Sequence, residues 1–341
     1  MELTNRQIKV FKAIVEEFTR TAEPVGSRTL MNLLDFNVSS ATLRNEMAAL
    51  EELELLEKTH TSSGWVPSSK GYRYYVDHLM VKYLEPKMMN ALQTVFDSRN
   101  SSMEEVVRQS CDILSQMTNL TSMALGPNAM YQTLQHISLI PLSDKSAVAI
   151  FVTNHGHTEN KTFSFKESIS MNDLTTACDL LNGKLVGVPL NEVVERMIEL
   201  QPLLAASVQR HEMLFEAFVN AFLKFANDQY YFSGQSNMLY QPEFADIEKL
   251  KKLMNILEDS SVWRRIASGN KGTTIRIGHD NSSYLNTDEV SVVTSNFKVH
   301  GKEEGQLMIV GPTRMPYNEV VALMEYVSRR IEEMFNDERW N

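Results

Sequence analysis

Cysteine is nearly missing from this chain: Cys111 and Cys178 are the only two in 341 residues. They stand far apart and show no metal-ligand spacing, which excludes a disulfide framework or a zinc-built fold and leaves two buried thiols as the expectation. Long apolar runs are missing too. No stretch of about 18 uncharged apolar residues occurs, and the first residues, Met1 to Arg6, lack the basic start and apolar core of a signal peptide. A cytoplasmic protein with no membrane partner is the expectation. Positive charge is in deficit, with 33 Lys and Arg against 43 Asp and Glu for a formal net charge of -10. That excludes a protein that coats nucleic acid by bulk electrostatics, because phosphate binding needs positive charge where the phosphates lie.

Catalytic signatures are equally scarce. No nucleophile elbow, phosphate loop or metalloprotease motif occurs. His155 and His157, with Glu159 close by, could begin a metal site, yet the spacing supplies no third ligand and loop histidines are more often solvated. The chain reads as a non-enzyme without cofactor or metal. A hydrophobic fraction of 43% and a charged fraction of 22% are those of a folded protein, and the length suits two or three domains.

The N-terminal region carries the clearest pattern. Leu3, Ile8, Phe11, Ile14, Val15 and Phe18 recur at three- and four-residue steps, predicting an amphipathic helix over 3–21 with Thr4 and Gln7 as a capping box. Glu23-Pro24-Val25-Gly26 interrupts it as a turn. Ser27 caps a second helix reaching Leu33 and Leu34, and residues 35–38 form a tight connection. Ser39 or Ser40 caps a third helix to about residue 56, with Leu43, Met47, Leu50 and Leu53 buried and Ala41, Thr42, Arg44 and Asn45 facing outward. Residues 58–74 read as two short polar strands around Ser62-Ser63-Gly64, with Pro67 and Gly71 excluding helix and Tyr72, Tyr74 and Tyr75 packing back. A hairpin after a helix-turn-helix is a wing.

Hydroxyls, Asn45 and a guanidinium at Arg44 are the groups that bond base edges and phosphates in the major groove. Residues 1–80 hold nine basic and eleven acidic side chains, net -2. Glu46, Glu51, Glu52, Glu54 and Glu57 all fall from the second turn of the third helix onward, where they can point away from DNA while Arg28, Arg44, Lys58, Lys70 and Arg73 face it.

Beyond this unit, residues 79–95 read as a helical connector interrupted at Pro86. Two or three strands fall within 136–165, the clearest over 147–153. Residues 174–228 read as helical throughout, and strands return at 273–277, 290–295 and 306–310 before a closing helix over 317–335. A helical block inside a strand-rich region suggests an insertion. Among the 19 methionines, Met213, Met238 and Met254 read as core. Asp280, Asn281 and Asn286 are turn residues that could also meet a small polar ligand.

Three N-terminal segments and two late ones resemble the heat-inducible transcription repressor HrcA family. They are Glu23-Pro-Val-Gly-Ser-Arg-Thr-Leu30, Val38-Ser-Ser-Ala-Thr-Leu-Arg-Asn-Glu-Met47, and His60-Thr-Ser-Ser-Gly-Trp-Val-Pro67 with Lys70-Gly-Tyr-Arg-Tyr-Tyr-Val-Asp77, followed by Pro242-Glu-Phe244 and Gly311-Pro-Thr-Arg-Met315. The resemblance implies an α+β chain. Its parts are an N-terminal winged helix-turn-helix domain (1–78), a GAF-like α/β domain in two segments (79–160 and 236–341), and an inserted helical dimerisation segment (161–235). It further implies a homodimer that binds double-stranded DNA at an inverted-repeat operator of the CIRCE type and represses chaperone genes, its activity modulated by the GroE chaperonin. Carried residue by residue, recognition falls on Ser39, Ser40, Thr42, Arg44 and Asn45, and the wing contribution on His60, Thr61, Ser62 and Lys70. Two departures stand out. Trp65 occupies a wing position where the family has arginine, so stacking or packing replaces a phosphate or minor-groove contact there. Glu54 stands where the family has a helix-ending glycine. The competing class is a metabolite-sensing repressor that uses the GAF-like pocket.

Overall fold

A computed structural model of the chain describes residues 3–35, 38–58, 64–96, 103–125, 133–154, 158–209, 211–227, 230–267, 271–285, 287–299 and 302–336. The N-terminal unit begins with α1 (Asn5–Thr21). Thr4 accepts the Gln7 N–H at 3.2 Å while the Gln7 side chain accepts the Thr4 N–H at 3.0 Å, so the predicted capping box satisfies two donors that a helix start leaves orphaned. Its Val10, Phe11, Ile14 and Val15 are buried against Leu30 of α2 (Ser27–Leu33) and Leu43, Met47 and Leu50 of α3 (Ser40–Glu52). Burying each such side chain stabilises the unit by about 1.5–3 kcal/mol.

After α3 the chain turns sharply. Leu53 caps the helix and Glu54 takes a left-handed conformation at φ 60°, so α3 stops short of the predicted residue 56 and a hairpin of β1 (Leu56–Lys58) and β2 (Trp65–Pro67) follows. The expectation of two polar strands is corrected: all three residues of β2 are buried, because β2 lies against α1. Gly71 does not exclude helix. It sits inside α4 (Ser69–Tyr74), where a Cβ would lie 2.1 Å from the Leu55 carbonyl oxygen. One π-helical turn, Tyr75–Leu79, completes the unit.

An irregular connector leads to α5 (Pro86–Phe96). Pro86 therefore begins a helix where the sequence suggested an interruption, as suits a residue with fixed φ and no N–H to lose in a first turn. Then come α6 (Met103–Thr118) and β3 (Thr121–Leu125). Among the described residues the next strands, β4 (Leu134–Ser143), β5 (Ser146–Thr153) and β6 (Thr158–Ser164), pair only with one another in an antiparallel sheet. Every second residue of β5 is buried, and this one-sided face packs on α7 (Met171–Leu185), α8 (Leu190–Ser207) and α9 (His211–Asn227). Phe151, Phe163 and Phe218 meet there with centroids 5.5–6.2 Å apart. The helical block over 174–228 is thus three helices, broken at Gly187 (φ 84°) and again at Val208.

A second antiparallel sheet collects the remaining strands: β7 (Tyr230–Ser233), β3, β10 (Lys302–Pro312), β9 (Val290–Val299) and β8 (Thr273–Arg276), in that order. Both of its faces are covered. Ala124, Val293, Phe297, Leu307 and Ile309 point toward α6 and the closing α13 (Tyr317–Asn336), continuous with the core of the N-terminal unit. Met123, Val292, Met308 and Val310 point the other way, toward α10 (Ile247–Glu258), α11 (Ser260–Ala267) and α12 (Ser282–Leu285). Met238 is fully buried in this second core, with Met254 packed on it. The predicted boundary between residues 160 and 161 falls inside β6. The physical reason is the pairing: β4, β5 and β6 bond to one another and share a core with α7–α9, separate from the five-stranded sheet whose neighbours β3 and β7 they interrupt in sequence.

Candidate nucleic-acid interface

The starts of α2 and α3 are pinned together by a 2.8 Å hydrogen bond between the Ser27 and Ser40 hydroxyls. Ser39 is the N-cap of α3. Its Oγ accepts the Thr42 N–H at 3.1 Å and lies 2.9 Å from the Thr42 hydroxyl. The hydroxyls of Ser39, Ser40 and Thr42 thus build the helix start, and the outward surface carries the exposed Arg28, Ser39, Ala41, Arg44, Asn45 and Ala48. Among the described residues, neither Arg28 nor Arg44 forms a salt bridge. Two uncommitted guanidiniums beside small residues and a helix N-terminus form a surface into which an anionic backbone can dock closely.

The wing base is organised differently from the sequence expectation. Trp65 exchanges both backbone hydrogen bonds with Val25, which ties β2 to the Glu-Pro-Val-Gly turn. Trp65 is 7% exposed and its Nε1 donates to Glu51 at 2.9 Å. Lys58 bonds the same carboxylate at 3.3 Å and sits 5.0 Å over the Trp65 ring. Trp65, where the resemblance leads one to expect arginine, is thus a packed strut. His60, Thr61 and Ser62, the expected wing contacts, lie outside the described residues, as do His155, His157 and Asn286.

Lys70 and Arg73 depart furthest from their expected role. Lys70 Nζ lies 2.5 Å from the Glu54 carboxylate, and its hydrogen bond and charge hold the Glu54 carboxyl below its ordinary value. Arg73 turns away from the recognition surface, donating to the Ile275 carbonyl at 2.7 Å and to the Asp280 carboxylate. Burial alone would raise the Asp280 carboxyl; the Ile277 N–H and the Arg73 guanidinium outweigh it and hold it low. Asp280 and Asn281 are accordingly spent on structure. Asn281 is fully buried and donates to the Arg276 and Val290 carbonyls.

Sequence reasoning missed three tertiary partnerships that shape this region. Glu51 joins Trp65 to Lys58, Glu54 occupies Lys70, and Arg314 reaches across to the first helix, donating to the Thr19 carbonyl at 3.1 Å. Sequence separations of 14, 16 and 295 residues leave no local periodic signal for any of them. One cleft of ≈ 700 Å³ lies on the far side of the five-stranded sheet, lined by Phe244, Asn255, Tyr284 and an ion pair between Lys249 and Glu289.

The geometry, a buried three-helix core presenting an exposed α3 with a hairpin behind it, is that of a winged helix. Residues 2–78 match the family description "Winged helix-turn-helix transcription repressor, HrcA DNA-binding", and residues 104–321 match "HrcA protein C terminal domain". The chain belongs to the HrcA family. Its HrcA relatives include the "Heat-inducible transcription repressor HrcA" of Bacillus pumilus, 40% identical over 331 residues and 96% of each chain. That of Halalkalibacterium halodurans is 39% identical over 338 residues and 98% of each chain. A crystal structure described as a hypothetical protein shares the fold across 98% of this chain and 99% of its own, at a TM-score of 0.69 and 21% identity. HrcA proteins are transcription repressors and not enzymes, and the N-terminal unit of this HrcA chain is a DNA-binding domain within an α+β protein. Among the described residues, no helix is long and apolar enough to cross a membrane.

Proposed function

We propose that this protein represses heat-shock chaperone genes as a cytoplasmic homodimer that binds an inverted-repeat operator of the CIRCE type. Near-full-length identity of about 40% to proteins named heat-inducible repressors carries the reading. The outward Arg28, Arg44 and Asn45 at the pinned starts of α2 and α3 support it at the level of chemistry. A two-fold dimer offers two such surfaces to two half-sites, so a palindrome mirrors the protein's symmetry. The sheet of β4–β6 with its own helices supports a distinct inserted unit that dimerises, and an antiparallel five-stranded sheet covered on both faces supports a GAF-like body. Modulation by the GroE chaperonin follows by linkage. If DNA binds only the folded dimer and chaperonin raises the folded fraction, apparent affinity rises with that fraction.

Fluorescence anisotropy of refolded protein with an inverted-repeat duplex and a scrambled duplex, at two salt concentrations, tests the reading. A preference of roughly a thousandfold for the repeat is expected; equal, salt-sensitive binding of both by folded dimer overturns it. The cleft beside Tyr284 favours one second reading, a metabolite-sensing repressor. Its Lys249 and Glu289 already neutralise each other, which weakens it. A ligand screen by thermal shift separates the two, since a true effector moves the melting point as its concentration rises.

A further inference from the structure

The winged-helix unit is not left to swing on its connector. Residues 80–85 between the π-turn and α5 have no regular structure, and Val81 and Tyr83 are 68% and 57% exposed. A connector of this kind ordinarily permits relative motion of the units it joins. Here two arginines and a packed seam bridge the gap. Arg73 of α4 donates to the Ile275 carbonyl at the end of β8 and to the Asp280 carboxylate. Arg314, in the turn after β10, donates to Glu243 at 2.6 Å, to Gln241 at 2.9 Å and to the Thr19 carbonyl of α1 at 3.1 Å. Thr19 lies in the last turn of α1, whose carbonyls lack helical partners and attract a cation. The Arg314 and Glu243 side chains are only 14% and 23% exposed, so breaking either bond strands a half-buried charge.

Between the two arginines the surfaces touch closely. The Tyr72 and Tyr317 rings stand 5.8 Å apart, and Tyr317 is fixed by its hydroxyl, which donates to the Thr313 carbonyl at 2.7 Å and lies 2.8 Å from Ser291 Oγ. Gly278, at φ 46°, admits Ser69: a Cβ there would fall 2.7 Å from the Ser69 hydroxyl. All these contacts use α4 and the C-terminal turn of α1. Arg28, Arg44 and Asn45 remain exposed in the same arrangement.

We propose that Arg73 and Arg314 are positioning residues that clamp the DNA-binding unit to the five-stranded sheet with its recognition surface outward, and so set the half-site separation and orientation a dimer accepts. This rests on the dimeric-repressor reading above. A unit free on its connector would reach many separations nearly equally; a clamped one must meet half-sites that fall on the right face of the duplex, where one turn is about 10 base pairs.

The test uses the full chain, comparing wild type, Arg314→Gln and Arg73→Ala, the last being the milder change because Arg73 is about one-third exposed. Anisotropy is measured on an inverted repeat, on the same repeat with its spacer lengthened by about two base pairs, and on a duplex with one half-site. Amide hydrogen exchange is followed without DNA. The wild type is expected to prefer the shorter spacer by roughly tenfold. Both variants are expected to bind the single half-site within about twofold of wild type, to lose most of the spacer preference, and to exchange faster at residues 276–281 and 315–320. Three results overturn the proposal: unchanged exchange at those segments, intact spacer preference in a variant whose exchange has risen, or tighter operator binding by a variant, which would make the clamp inhibitory. A wild type that ignores the inverted repeat refutes the function reading instead, and exchange still decides whether the arginines hold the units together.

Discussion

Arg44 and Lys70 carry the same formal charge, yet their surroundings assign them different weights. Arg44 is exposed on α3 with no salt bridge among the described residues, whereas Lys70 is bonded to Glu54. Arg44→Ala is expected to lose roughly 1–3 kcal/mol of operator binding and to relax specificity at one base pair. Lys70→Ala is expected to leave the salt slope of binding nearly unchanged, because a phosphate contact would first require Glu54 to release it. Anisotropy titrations over a salt series check both; a unit change in slope for Lys70→Ala would return it to the DNA. Glu54 itself is strained at φ 60°, a conformation that costs a side-chain-bearing residue and suits glycine. Glu54→Gly relieves that strain and gives up an exposed ion pair of small worth, so the melting midpoint is expected to rise by about 1–3 °C. The oddity of Glu54 came from the family resemblance alone, whereas a cap at Ser39 or Ser40 and the outward set at Arg44 and Asn45 were readable from neighbouring residues, since caps and helical faces are local. The fates of Trp65, Lys70 and Arg73 were not, because their partners lie 14, 16 and over 200 residues away.

At the scale of elements, α4 shows how tertiary contact overrides propensity. A glycine inside a six-residue segment reads as a break, and the segment is a helix because Ser68 caps it, with Ser68 Oγ accepting the Gly71 N–H at 2.9 Å. The glycine is there for proximity, since the Leu55 carbonyl occupies the volume of a Cβ. Gly71→Ala would stabilise an exposed helix by about 0.5–1 kcal/mol. Here the sign reverses: overpacking is expected to cost about 1–3 kcal/mol, measured by urea unfolding, and a stabilised variant would refute the close-packing account. The same competition governs α5, which uses Pro86 as its start. Periodicity located α1, α3, β5 and α13 well, for each has one buried face. It could not tell that β2 is buried throughout, because three residues carry no period.

The largest scale is where sequence patterns ran out, because they do not say which strands pair. β5 alternates like any one-faced strand, and only pairing reveals that β4, β5 and β6 leave the five-stranded sheet for a sheet of their own. Cooperativity follows from that division. The winged-helix core, with Phe11, Met47 and Tyr72, is continuous with Leu307, Val320 and Ile331 of the sheet and α13, while Phe151, Phe163 and Phe218 belong to a separate cluster. Elements that share a core and are clamped at Arg73 and Arg314 should melt together, whereas the β4–β6 unit has its own core and can melt apart. Heating the protein is therefore expected to give two calorimetric transitions, with exchange protection of α3 lost in the same transition as that of β9 and β10, and operator binding lost at that temperature. A DNA-binding unit that melts well below the sheet would contradict the shared core. Coincident loss would make the folded fraction of one cooperative body, the quantity a chaperonin can raise, the variable that sets repression.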